Sequence, residues 1–170
     1  APAGADATLT AIEDTARVFT AADFGFTDTA DSPANALASV IITTLPANGT
    51  IRLNGVAITA GQEITVAQLP QLTFTAASNA NGASYTNFTF QVRDDGGTAN
   101  GGVNLDQSPN TITFNVTSVN DAPQGADATI TAVEDTARTF TAADFGFTDT
   151  NDTPANALAS VIITTLPTNG

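Results

Sequence analysis

Along the first 120 or so residues, apolar and polar positions alternate in short bursts separated by Gly, Asn, Asp and Pro. Alternation with a period of two puts every second side chain on one face, the pattern of a half-buried strand rather than a helix. In "TNFTFQVR" it aligns Phe88, Phe90 and Val92, and in "TITFNVTS" it aligns Ile112, Phe114 and Val116. The same reading predicts strands near 6–12, 16–20, 37–45, 50–53, 56–58, 71–76, 86–93 and 111–118. Asn48-Gly49 and Asn54-Gly55 carry the dipeptide that favours hairpin turns. Helix is confined to a single turn at "TAADF", with Thr20 capping Ala21 to Phe24, and another at "VAQLP".

Seven or eight antiparallel strands with no helix of length predict an all-β fold, an immunoglobulin-like sandwich. A closed barrel is the alternative. The long loop 94–110 and a tandem duplication favour the sandwich, whose ends lie at opposite poles. The duplication is explicit: residues 1–49 and 122–170 align without a gap at an offset of 121, with 42 of 49 positions identical. The differences are Ala3/Gln124, Leu9/Ile130, Ile12/Val133, Val18/Thr139, Ala30/Asn151, Ser32/Thr153 and Ala47/Thr168. A period this long exceeds that of solenoid repeats, so each repeat is expected to be a whole domain. The domains predicted are 1–121, a complete repeat, and 122–170, the beginning of the next. The second copy holds three predicted strands, "ATITAV", "ARTFT" and "LASVIITTL", and stops at Asn169-Gly170. Three strands would leave Phe140, Phe145, Phe147, Val161 and Ile163 on an open apolar face. Packing of 122–170 against further repeats, or against residues 50–121 of a neighbouring molecule in a head-to-tail filament, is therefore expected.

Charge narrows the partners. Seventeen acidic residues face four basic ones, giving a net charge of −13. Such a surface repels phosphate backbones and anionic lipid heads, which argues against nucleic-acid and membrane-surface binding and in favour of divalent cations. Lys, His, Cys, Met and Trp are all absent. Their absence excludes disulfides, thiolate or imidazole metal sites, Ser-His or Cys-His nucleophile pairs and Lys-Asn isopeptide bonds. No apolar run is long enough to span a membrane, and "APAGADATLT" lacks the regions of a signal peptide, so a soluble piece of something longer is expected.

The acids gather at predicted turns: Glu13-Asp14, Asp28 with Asp31, Asp94-Asp95 and the Asn120-Asp121 joint, repeated at Glu134-Asp135 and Asp149 with Asp152. Asp and Asn are common turn formers, so any one of them has a sufficient structural reason to be there. Adjacent acids differ, because side-by-side carboxylates repel unless a cation or solvent relieves them. In an up-and-down sandwich, Glu13 and Asp14 of one copy approach the linker and Asp149/Asp152 of the next. Such a set of hard oxygens suits Ca2+. Glycosidase chemistry needs a cleft with aromatic platforms, which one tyrosine does not supply, and no enzyme is expected. "DDGGTANGG" lacks the lysine of a phosphate loop and reads as a surface loop. A carbohydrate-binding module, with Tyr85 as its candidate aromatic, is the alternative function.

"VNDAP" at the joint, "VEDT" after it, then "FTDTADSPANAL", "ITTLPANGTIRLNGVAITAGQEIT", "NANGASYTNFTFQVRDDGG" and "TITFNVTSVNDAP" resemble the cadherin-like tandem repeats of giant bacterial surface proteins and adhesins. The middle stretch also resembles chondroitin-sulfate-proteoglycan-type repeats. The likeness spans the whole repeat. It implies a secreted, cell-surface, Ca2+-dependent array forming a stalk or filament, with adhesion to a target the sequence does not name. By this resemblance Asn120-Asp121 matches the calcium-binding linker, Glu13 and Glu134 the acid after the first strand, and Asp28/Asp31 and Asp149/Asp152 the paired aspartates. The departure is that "DTAD" and "DTND" space those aspartates by two residues, where cadherins use one.

Overall fold

The computed structural model describes residues 1–168. It divides into two compact units, Ala1–Val119 and Asn120–Gly170. The first is all-β with little helix. Its strands are β1 (Ala7–Ile12), β2 (Arg17–Val18), β3 (Leu37–Ile42), β4 (Thr50–Leu53), β5 (Val56–Ala57), β6 (Gln62–Thr65), β7 (Leu72–Thr75), β8 (Gly82–Asp94) and β9 (Asn110–Thr117). They form a five-stranded sheet in the order β1-β9-β8-β3-β6 and a four-stranded sheet in the order β2-β7-β4-β5.

Alternation positions the core. Phe88, Phe90 and Val92 of β8 and Ile112, Phe114 and Val116 of β9 are all buried, with Val40, Ile42 and Ile64 from the same sheet. Ile51, Leu72 and Phe74 of the other sheet belong to the same cluster. The two sheets meet where Phe74 stacks on Phe114, ring centroids 3.8 Å apart. Phe19 sets its edge against Phe88 and Phe114 at 5.9 and 6.0 Å, and Phe24 does so against Phe90 at 5.0 Å. Offset and edge-to-face rings add to area burial, so this aromatic cluster is the energetic centre of the unit.

Several sequence expectations change here. β1 pairs β9 in parallel, Ala7 opposite Ile112 and Ile12 opposite Thr117, where an antiparallel arrangement was expected. Because the first and last strands run the same way, the chain enters this unit at one end and leaves it at the other. β6 was not predicted, since only Ile64 of its four residues is buried. Asn54-Gly55, with φ of 51° and 79°, makes the two-residue turn joining β4 to β5. Asn48-Gly49 is no hairpin, because β3 and β4 lie in different sheets. Gly49 (φ 79°) is required there for a different reason, since a Cβ would sit 2.7 Å from the Thr75 carbonyl.

The "TAADF" turn forms as a 3-10 helix, Ala21–Phe24, with Gly25 left-handed behind it. Asp23 fixes it, accepting from the Thr20 N–H at 2.8 Å and from Arg17 at 2.7 and 3.1 Å. Burial opposes the charged form of Asp23, but Arg17 and the Thr20 N–H outweigh it and hold the carboxyl below its usual value. A depressed carboxyl contributes stability at neutral pH that is lost as pH falls through its folded-state value.

In the second unit the same turn recurs at Ala142–Phe145, with Arg138 to Asp144 at 2.6 Å and the Thr141 N–H to Asp144 at 2.7 Å. The bridge Gln124–Thr148 repeats Ala3–Thr27. The three predicted strands are not formed among the described residues of this unit. In the first unit β1 hydrogen-bonds to β9, β2 to β7, and β3 to β8 and β6, and this unit contains no counterparts of those partners. A strand is an assembly of two chains, so the local turn survives alone and the ladders do not. The predicted Asn169-Gly170 turn lies outside the described residues. Among them no helix is long and apolar enough to cross a membrane.

Candidate metal centre

The acid cluster of the first unit sits where the chain enters it. β8 ends at Asp94, opposite Leu37 at the start of β3, and the segment leading into β3 carries Asp28 and Asp31. One carboxylate oxygen from each of Asp28, Asp31 and Asp94 lies within 4.8 Å of the others. Asp28 is 6% exposed and Asp94 2%, whereas Asp31 faces solvent.

The hydrogen bonds use only one oxygen of each buried acid. Asp28 Oδ2 accepts from the Asn35 N–H at 2.7 Å, and Asp94 Oδ1 accepts from the Gly96 N–H at 2.8 Å. Asp31 Oδ2 accepts from Asn35 Nδ2 at 3.2 Å, so Asn35 orients both aspartates of the "DTAD" loop. Asp28 Oδ1 and Asp94 Oδ2 are buried and make no hydrogen bond. A buried anionic oxygen without a donor is costly, and two in one cluster call for a positive charge. Oxygen-only carboxylates are the donor set of a hard divalent cation such as Ca2+. The extra residue between the aspartates is no obstacle, since the spacing of two still brings both beside Asp94.

The second unit builds half of this site again. Asp149 Oδ2 accepts from the Asn156 N–H at 2.7 Å, and Asp152 Oδ2 from Asn156 Nδ2 at 2.8 Å. Asp149 Oδ1 is buried without a hydrogen bond, as Asp28 Oδ1 is. Here the preceding linker takes part: the Asp121 N–H donates to Asp152 Oδ1 at 2.8 Å, and Asn120 Oδ1 accepts from Asn156 Nδ2 at 2.8 Å. Asn120, Asp121, Asp149 and Asp152 are thus brought together.

The remaining candidates of the first unit stand outside the Asp28, Asp31 and Asp94 group. Asp95 is drawn out of the cluster by the Ala36 N–H, which its Oδ1 accepts at 2.8 Å, so the Asp94-Asp95 pair is split between two tasks. Glu13 is at the far end of β8, 1% exposed, accepting from Asn81 Nδ2 at 2.9 Å and from the Val119 N–H at 2.5 Å. It ties the end of β9 to the turn after β1, one residue before the Asn120-Asp121 linker. Asp14 adopts a positive φ of 53° and accepts from the Asn79 N–H at 3.3 Å. Glu134 and Asp135 are exposed. Sequence reasoning missed Asn35 and Asn156, although the spacing Asp-x2-Asp-x3-Asn occurs in both copies. Tyr85 is half-buried against the core, and its hydroxyl accepts from the Ala77 N–H at 3.2 Å.

No protein-family model, curated protein or solved structure matches this chain.

Proposed function

We propose that the chain is a structural module of a secreted, cell-surface stalk or filament: immunoglobulin-like sandwiches of about 121 residues strung end to end and stiffened by Ca2+ at their joints. The observation that carries this reading is the pair of buried, unpartnered oxygens of Asp28 and Asp94 beside Asp31. Three features support it further. Near-identity at an offset of 121 is what growth by duplication leaves behind. The parallel pairing of β1 with β9 sends the chain lengthwise through the first unit, as a link in an end-to-end array requires. The linker residues Asn120 and Asp121 fold onto the Asp149/Asp152 loop, so an ion there would bind linker and module together. At roughly 3.3 Å per residue, a strand of the length of β8 gives each module a reach of about 40 Å, and repetition supplies length without new chemistry.

Calorimetric titration tests the ion. CaCl2 is expected to bind the chain with a heat that Asp28→Asn and Asp94→Asn each reduce by the share of the first-unit site, while Asp95→Asn retains all of it. MgCl2 is expected to bind more weakly, because Mg2+ demands a compact octahedron and releases its water reluctantly. Equal titrations for all three variants would refute the assignment.

A further inference from the structure

The second unit carries a groove of about 790 Å³ with a mixed lining, whose apolar part includes Ile130, Phe145, Phe147, Leu158 and Val161. Phe140 is 59% exposed and Ile163 62%, although their counterparts Phe19 and Ile42 are 1% and 0% exposed in the first unit. What covers this face is written in the first unit. There Phe19 and Phe24 pack on Phe88, Phe90 and Phe114 of β8 and β9.

The two copies are interchangeable at this surface. Every fully buried apolar residue of 1–47, namely Ala11, Phe19, Phe24, Val40 and Ile42, is identical at Ala132, Phe140, Phe145, Val161 and Ile163. Of the seven differing positions, six are exposed in the first unit and Leu9, replaced by Ile130, is half-buried. The face is also partly preassembled. Phe140 stacks on Phe145 at 6.0 Å and Arg138 lies 5.6 Å over Phe140, repeating Phe19 on Phe24 at 5.8 Å and Arg17 over Phe19 at 5.6 Å.

We infer that residues 122–168 form an acceptor surface for a second stretch with the sequence of Thr50–Val119, docked in the register that β8 and β9 use in the first unit. A whole second copy of the chain is not the occupant. Its own residues 50–119 already hold residues 1–47, and exchanging one segment for its near-identical twin creates no new contact while forfeiting the high effective concentration of intramolecular pairing. The inference rests on packing and does not depend on the cation.

The test adds a separate polypeptide of residues 50–121 to the 170-residue chain and measures mass by light scattering. A one-to-one complex is expected, weakened about thirtyfold or more by Phe140→Asp, a buried-anchor effect. Phe140→Asp lies outside the first unit and is expected to leave its unfolding unchanged. Register is read by a disulfide: Thr8 faces Thr113 in the β1–β9 ladder, so Thr129→Cys in the chain and Thr113→Cys in the polypeptide are expected to cross-link. Should the polypeptide precipitate alone, the same stretch joined after residue 170 is expected to protect the amides around Phe140 from exchange. Overturning results are no complex with soluble polypeptide, binding indifferent to Phe140→Asp, dimers of the chain alone through this face, or unprotected amides in the joined form.

Discussion

In calcium-free buffer Asp94→Asn is expected to melt above the parent chain, and saturating calcium is expected to raise the melting temperature of the parent by more than that of the variant. Both effects follow from the two orphan oxygens. Without a cation, the Asp28 and Asp94 carboxylates face each other within 4.8 Å. At an effective dielectric of about 20 that repulsion is on the order of 3 kcal/mol, and Asn removes it while still accepting from the Gly96 N–H. With a cation bound only to the folded state, the parent gains about 2.7 kcal/mol at a hundredfold excess over Kd, a rise of roughly 10 °C for a domain of this size. A tenfold weaker site in the variant would gain only about half of that. Differential scanning calorimetry with chelator and with calcium decides it. A variant less stable than the parent in both buffers would mean that Asp94 serves only its backbone hydrogen bond.

Phe114→Ala is expected to cost the first unit about 3–5 kcal/mol, the range for deleting a buried aromatic ring. Phe114 lies between the sheets, stacked on Phe74 and against Phe19 and Phe88. Its loss leaves three rings without a common neighbour, and the β1–β9 and β8–β9 ladders give the cavity little room to collapse. Phe140→Ala, the same deletion at an exposed ring, is expected to shift the urea midpoint of that transition by almost nothing. Comparable midpoints for the two variants would contradict an aromatic cluster centred on Phe114.

Alternation made the core legible, because burial of every second residue is a local property: the buried faces of β8 and β9 can be read directly from the sequence. Pairing is not local. Nothing within "ATLTAI" states that its neighbour is β9, or that the two run parallel. The same limit explains the second unit, where "LASVIITTL" is strand-like in pattern yet forms no strand. The "AADF" turn depends on Arg, Thr and Asp within seven residues, and it forms alike in both copies. At the candidate site, charge located the aspartates, but their division of labour depended on contacts far apart in sequence. Asp94 joins Asp28 across the β3–β8 ladder, while its neighbour Asp95 turns to Ala36. Asn35 carries no charge and so gave no signal until its two hydrogen bonds were seen.

On the proposed function, calcium stiffens a joint rather than merely stabilising a fold. Small-angle X-ray scattering of the 170-residue chain, recorded in calcium and again after chelation, addresses it most directly. Chelation is expected to leave the first unit folded but to lengthen and broaden the distance distribution, as the joint at Asn120-Asp121 loosens, and Asp121→Ala in calcium is expected to reproduce the chelated profile. Identical profiles in calcium and chelator, with Asp121→Ala superimposing on both, would contradict it.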